Sequence, residues 1–253
     1  MQRLIEPFGI GKVTDIEPMP RSVRAHRLDT TRGRFVLSVF PPEVTRDHLA
    51  AMQDVRIALV ANGLPAVAAL VGRDGISAEA VDGRLVQVQP WVPHDSYADS
   101  WPRLVAAAGV LGAAHDVMAE REATPDQQGA PWSWPRTQTA RLAAQAQDLV
   151  ESGVRAGHDI AADVAAGQRI LDTLAGHPCL APGRPVQLTH GDFQGRNILV
   201  HKEVVRAVVD FEGLDLRPRL FDLAWPLVFW PFYVSGLGRW RDDDWSAAAA
   251  CCR

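Results

Sequence analysis

Hydrophobic positions in the first ninety residues come in short runs separated by turn residues. Val23 to Leu28 and Arg34 to Phe40 predict two strands joined by Asp29-Thr30-Thr31-Arg32-Gly33, and Pro41-Pro42 stops the second. From Arg46 to Ala61 the spacing changes to that of a helix, with Leu49, Met52, Val55/Arg56 and Leu59/Val60 along one side and Asn62-Gly63 as its stop. Ala66 to Val71 and Leu85 to Val88 predict two further strands around Arg73-Asp74-Gly75 and Asp82-Gly83.

Gln89-Pro90-Trp91-Val92-Pro93 interrupts this rhythm as a stiff connector. Helical spacing follows in Leu104, Ala108, Leu111 and His115, in Leu142, Ala146, Leu149 and Val150, and in Val164, Ile170, Leu171 and Leu174. Thr124 to Pro135 predicts a loop. A β-rich patch comes next: Val186 to Thr189, Ile198 to Val200 and Val204 to Phe211, the last two joined by His201-Lys202-Glu203. An apolar helix from Arg219 to Phe229 follows it. The pattern is α+β: a small lobe over 1–88, a hinge over 89–93 and a mainly helical lobe over 94–253.

Composition narrows the function. The 253 residues are 47% hydrophobic and 22% charged, with a net charge of −4. A nucleic-acid partner is disfavoured by the acidic balance, because phosphate binding calls for a basic excess. No membrane partner is expected, since the longest nearly uncharged run, Leu104 to Ala114, is shorter than a spanning helix. The first residues hold no apolar signal block, and Cys179, Cys251 and Cys252 do not form a disulfide framework, so a cytoplasmic setting is expected. Oligomeric state leaves no sequence signal. Lys12 and Lys202 are the only lysines.

The candidate chemistry is concentrated in His190-Gly191-Asp192-Phe193-Gln194-Gly195-Arg196-Asn197, with Asp210 at the end of the following hairpin. Asn197 and Asp210 offer an amide oxygen and a carboxylate, the hard ligands suited to Mg²⁺. Asp192 is then left to accept a proton from a substrate hydroxyl. His190-x-Asp192 is also a metal-hydrolase spacing, but the other histidines are scattered singly. Gly9-Ile10-Gly11 lacks the third glycine and the helix that a dinucleotide site requires.

His190 to Leu199, Val208-Val209-Asp210-Phe211-Glu212 and Phe221-Asp222-Leu223-Ala224-Trp225 resemble the aminoglycoside phosphotransferase, choline kinase and homoserine kinase group. The resemblance implies a two-lobed protein-kinase-like fold. It implies Asp192 as catalytic base, Asn197 and Asp210 as Mg²⁺ ligands, and His190 and Asp222 as supports of the catalytic loop. ATP would be the co-substrate, with Gln89, Trp91 and Val92 forming the hinge that grips adenine. Phe8-Gly9-Ile10-Gly11, Gly33 to Phe40, Leu49 to Pro65 and Leu111-Gly112-Ala113-Ala114-His115 are similar to the homoserine kinase branch.

The chain departs from the group in four places. Ser38 stands where most relatives carry a phosphate-pairing lysine, although homoserine kinase-like members also have a small hydroxyl residue there. The helix glutamate that would pair with that lysine falls near Gln53 or Asp54, leaving Arg21 or Arg24 as substitute cations. Met19-Pro20-Arg21-Ser22 replaces a glycine-bearing phosphate turn, and the acceptor lobe is expected to be shortened at its end. Trp225, Trp230, Trp240 and Trp245 are core residues or pocket walls. Glu212, Asp215 and Asp242 to Asp244 are candidates for attracting a cationic acceptor. The expected activity is phosphoryl transfer to a hydroxyl of an aminoglycoside-, amino-alcohol- or homoserine-like molecule. The alternative is a catalytically degenerate nucleotide-binding module of the same fold.

Overall fold

In the computed structural model of the chain, the described residues are 5–123 except 20, 21, 23, 73, 74 and 82, then 161, 165 and 169, and finally 186–230. The helix predicted over 142–150, all but 165 and 169 of the one predicted over 164–174, the 124–135 loop, Arg21, and the acids and tryptophans beyond 230 lie outside them.

Five antiparallel strands build the first lobe: β1 (Val13–Pro18), β2 (Ala25–Thr30), β3 (Gly33–Val39), β4 (Glu79–Val81) and β5 (Arg84–Pro90). Their spatial order is β1-β2-β3-β5-β4. The β2–β3 turn is tighter than predicted: Thr30 pairs with Gly33, which draws Asp29 and Thr30 into the strand. β5 likewise extends past the expected boundary, pairing Gln89 with Val36 and Pro90 with Phe35. The hinge residues Gln89 and Pro90 therefore belong to the sheet.

Between β3 and β4 runs α1 (Arg46–Ala61), with the predicted bounds. Thr45 caps it by accepting a bond from the His48 amide at 3.1 Å. At the other end Gly63 N–H reaches Val60 O and Leu64 N–H reaches Leu59 O, with Gly63 left-handed at φ 73.

Ala66 to Val71 is not a strand. It carries no strand pairing beyond one isolated bridge from Ala66 to Val208 and a bond from Leu70 N–H to the Val88 carbonyl at 2.7 Å. The physical reason is Gln53, whose amide clasps both backbone groups of Ala69, donating to its carbonyl at 2.9 Å and accepting from its N–H at 2.8 Å. A buried side chain thus satisfies backbone groups that a strand partner would otherwise satisfy.

The second lobe carries α2 (Trp101–Ala119) and α3 (Leu220–Trp230). Two small sheets join them: β6 (Ser96–Tyr97), β8 (Ile198–His201) and β9 (Val204–Val208) in one, β7 (Gln187–Thr189) and β10 (Asp215–Arg217) in the other. β9 stops at Val208, short of the predicted Phe211, because the chain turns left-handed at Asp210 and coils as a 3₁₀ turn over Phe211–Gly213.

Two apolar cores result. One lies within the first-lobe sheet, around Ile5, Phe8, Leu28, Leu37, Val86 and Val88. In the other, Leu49, Met52, Val55 and Leu59 of α1 pack with Leu111, Met118, Phe193, Ile198 and Phe211 of the second lobe. This is the α+β, two-lobed, protein-kinase-like fold, with α1 rooted in the second lobe. Among the described residues no helix is long and apolar enough to cross a membrane.

Replacing Gln53 with leucine strands the Ala69 N–H and C=O in the interior. The expected cost is about 2–4 kcal/mol of unfolding free energy, measured by urea denaturation; an unchanged midpoint would show that the clasp is dispensable.

Candidate active site

The catalytic-loop candidates sit on a turn between β7 and β8, and one carboxylate organises it. Asp222, on the first turn of α3, is 0% exposed. Its Oδ2 accepts from the His190 amide at 2.7 Å and from His115 Nε2 of α2 at 2.9 Å, while Oδ1 accepts from the Gly191 amide at 2.7 Å. Gly191 has φ +80, and a Cβ there would collide with the carbonyl of Gly213, so only glycine lets the two turns touch.

His190 uses both ring nitrogens. Nε2 donates to the Val209 carbonyl at 3.0 Å, and Nδ1 accepts from the Asp192 amide at 3.3 Å. That pattern defines the neutral ring protonated on Nε2. Burial agrees, pushing its pKa below the usual 6.5 against the opposing pull of Asp222, Asp210 and Asp192. The ring lies 4.4 Å from that of Phe211, centroid to centroid, and meets Phe193 edge-on.

Three side chains hold the Asp192 carboxylate. Gln194 Nε2 donates to both oxygens, at 2.9 and 2.8 Å. Trp225 Nε1 donates to Oδ1 at 2.6 Å, and Asn197 Nδ2 to Oδ2 at 2.9 Å. Each oxygen therefore accepts two N–H groups, about the full capacity of a carboxylate. Trp225 is thus neither a plain core residue nor a plain wall.

Asn197 also donates from Nδ2 to the Asp192 carbonyl at 2.9 Å, so the atom it can offer an ion is Oδ1. Its backbone carbonyl accepts from Val209 N–H at 2.9 Å, one step beyond the Ile198–Val208 pair of the hairpin. Asp210 follows directly, exposed and left-handed at φ 66, a conformation rare outside glycine and common at functional sites. The hairpin register brings these two residues to the same end of the β8–β9 ribbon. An amide oxygen and an accessible carboxylate fit a hard divalent cation.

The first-lobe candidates meet a different outcome. Ser38 pairs with Ala25 on one side and Gln87 on the other. Gln53 is occupied by Ala69, and Asp54 is exposed. Arg24 pairs with Glu212 across the lobes at 2.8 Å. Glu212 is therefore an interlobe anchor rather than a free acid for attracting an acceptor, and its carbonyl accepts from His48 Nε2 at 3.3 Å. Burial and the neighbouring Asp210 push its pKa above the usual 4.5. Asp215 is engaged too, accepting from the Leu216 amide at 2.7 Å. In the hinge, Trp91 N–H donates to the Arg34 carbonyl at 3.0 Å, and Val92 O accepts from His94 Nδ1 at 2.9 Å. Reasoning from sequence missed Gln194, the His115–Asp222 contact and a buried arginine, Arg56; the polar residue within the loop and His115 on an apolar face were the available signals.

Below about pH 6.5 an unfolded His190 takes up a proton that the buried ring refuses, so its contribution to stability is complete above that pH and declines as pH falls toward the lowered native value. Glu212, with its raised pKa, slopes the other way at lower pH, so the effect is isolated by comparison with His190→Asn. Between about pH 5 and 6.5 the wild type should lose stability more steeply than the variant, by up to about 1.4 kcal/mol per pH unit. Parallel curves in urea titrations would exclude the neutral buried ring.

Comparison with known proteins supplies the family. A sequence model of the phosphotransferase enzyme family matches residues 18–251. A homoserine kinase from Acidiphilium cryptum (strain JF-5) is 26% identical over 236 residues, covering 90% of this chain and 68% of the relative. Among solved structures, the amicoumacin kinase hAmiN in complex with AMP-PNP, Ca²⁺ and Ami superposes with a TM-score of 0.67 at 12% identity, over 99% of this chain and 74% of that one. An aminoglycoside phosphotransferase from Alicyclobacillus acidocaldarius subsp. acidocaldarius DSM 446 superposes with a TM-score of 0.65 at 14% identity, over 100% and 75%. With the family matched across most of its length, the chain belongs to the phosphotransferase enzymes and is a small-molecule kinase.

Proposed function

We propose that the chain transfers the γ-phosphoryl group of ATP to a hydroxyl of a small polar acceptor. The observation that carries this reading is Asp192, held by Gln194, Asn197 and Trp225 at the end of the ribbon that also presents Asp210. Asp192 aligns the acceptor hydroxyl and takes its proton as the new O–P bond forms and the bond from the γ-phosphorus to the bridging oxygen breaks, with ADP leaving. Asn197 Oδ1 and the Asp210 carboxylate would hold Mg²⁺, which supplies neutralisation of phosphate charge when bound. His190 and Asp222 are positioning residues, since they reach the chemistry only through the loop backbone.

Adenine binding falls to the chain that leaves β5. Trp91 N–H is engaged with Arg34, Gln89 lies in the ladder, and Pro90 and Pro93 have no N–H, which leaves the Val92 amide as the donor for a base. We place the lobe boundary at the end of β5 for the same reason. The nucleotide assignment draws on the AMP-PNP and divalent ion in the hAmiN complex. The acceptor class spans homoserine, amino alcohols and aminoglycosides. A degenerate nucleotide-binding module remains the second reading, favoured by Ser38 on β3 where the group usually has lysine.

Incubation with Mg-ATP and a panel of these hydroxyl-bearing amines should give transfer to at least one. Asp192→Ala is expected to lower it about 10²–10⁴-fold while leaving the circular dichroism spectrum unchanged. Undiminished transfer by the variant would remove Asp192 from the mechanism. Nucleotide binding without transfer to any acceptor would favour the degenerate module.

A further inference from the structure

The first lobe lacks a lysine at Ser38, and neither lysine of the chain lies near by. Lys12 immediately precedes β1, where its amide bonds Thr31, and Lys202 forms the β8–β9 turn, where its amide bonds Asp95. A cation nevertheless occupies the space beneath the sheet. Arg56, on the third turn of α1, is 3% exposed. Its Nη1 donates to Gln87 Oε1 at 3.1 Å. Gln87 is the direct cross-strand partner of Ser38, so the two side chains share a sheet face and the guanidinium lies under the place of the absent lysine. The same guanidinium sits over the Phe211 ring, 5.6 Å from its centroid. Phe211 stands between Asp210 and Glu212, and both acids favour the charged form of Arg56.

This arrangement is a poor way to fill a core. Burial pulls the Arg56 pKa down to about 10 despite the two acids. Gln87, itself 0% exposed, keeps its Nε2 buried without a hydrogen-bond partner among the described residues. An unpaired buried amide group is destabilising, and apolar residues at 56 and 87 would pack without that loss. What the polar pair achieves is a fixed positive charge over the ring of Phe211, the residue that follows Asp210 in the chain. Arg24, the other arginine near Glu212, is 45% exposed on its side chain and meets the outer face of that acid.

Resting on the kinase reading above, we propose that Arg56 is the interlobe cation of the nucleotide site. Held by Gln87 and stacked on Phe211, it positions the Asp210 carboxylate for the metal–nucleotide from a helix instead of from β3. It is a positioning residue, acting on the metal–nucleotide through Asp210.

The test measures Mg-ATP affinity by titration calorimetry, together with the magnesium concentration at half-saturation, on the full chain. Arg56→Met should weaken Mg-ATP binding on the order of 10–100-fold and raise the magnesium requirement, whereas Arg56→Lys should stay within a few-fold of wild type. Moving the charge back to the strand, in the double variant Ser38→Lys with Arg56→Met, should recover a substantial part of the loss. A role in packing alone would show no such recovery. If Arg56→Met does not fold, Arg56→Gln keeps a hydrogen bond to Gln87 without the charge and should show the same weakening. Wild-type affinity in Arg56→Met or Arg56→Gln, or no recovery in the double variant, overturns the proposal. Two failures are separable: a wild type that binds no Mg-ATP defeats the kinase reading and this inference with it. A wild type that binds Mg-ATP and transfers phosphate, while the Arg56 variants match it, defeats this inference alone.

Discussion

A carboxylate sealed from solvent is the joint on which the active-site geometry turns. Asp222 takes two consecutive backbone amides of the catalytic turn and the imidazole of α2, so three chain segments distant in sequence meet on one side chain. Buried acid of this kind is destabilising unless each oxygen is satisfied, and removing a partner from such a cluster costs about 3–5 kcal/mol. The consequence reaches beyond stability. With His190 and Gly191 tied through their amides, the His190 ring is aimed at Val209 and its Nδ1 returns to the Asp192 amide. The position of Asp192 is therefore set by backbone bonds behind it, and the side chain itself is left to face its three donors.

The same economy governs the meeting of the lobes. Helix α1 belongs by chain order to the first lobe, yet its apolar side is buried with Phe193, Ile198 and Phe211 of the second. Its polar residues make further connections on both sides, beside the Arg24–Glu212 pair. Gln53 fastens the segment that leads back to the sheet, His48 reaches the Glu212 carbonyl, and Arg56 reaches under β5. Between Asp210 and Glu212 the ring of Phe211 lies under the Arg56 guanidinium, and Glu212 itself pairs with Arg24 at 2.8 Å, so both arginines come to this stretch from the first lobe's side. A helix that packs on the second lobe while its Arg56 reaches Gln87 of β5 ties the placement of the first lobe to that of Phe211 and its neighbours.

What the sequence disclosed, and what it withheld, follows from how local each cause is. The bounds of α1 were readable because its periodicity, the stop at Asn62-Gly63 and the preceding prolines all act within a turn or two. The cluster His190 to Asn197 with Asp210 was readable because a loop and an adjacent hairpin bring these residues together at short sequence range. β1, with its Thr, Asp and Glu, is half solvent-facing and carries no apolar run, and β10 exists only through pairing with β7 far upstream. Ala66 to Val71 has the composition of a strand, but a single distant glutamine decided its conformation. Trp225, Gln194 and Arg56 were opaque for one reason. Each is chemically ordinary in its own segment and acquires its role from a partner on another.

Under the proposed function, the contacts that already surround Asp192 bear on how an acceptor would be chosen. An incoming hydroxyl can donate to this carboxylate only where an N–H now stands, and the donors are not equivalent. Asn197 is fixed on a 3₁₀ turn and holds the Asp192 carbonyl with the same nitrogen, so displacing it would disturb the atom set that faces an ion. Gln194 and Trp225 share Oδ1, one from the loop and one from α3. Oδ1 is thus the oxygen at which an exchange leaves Asn197 untouched. An acceptor hydroxyl arriving there replaces one N–H bond with one O–H bond, a swap nearly neutral in hydrogen-bond count. Discrimination among acceptors must then come from the rest of the molecule, through contacts that offset the loss of an indole or carboxamide partner. On that reading a bare hydroxyl or a water would gain nothing over the groups already present, so the geometry proposed to aim a base would also disfavour hydrolysis.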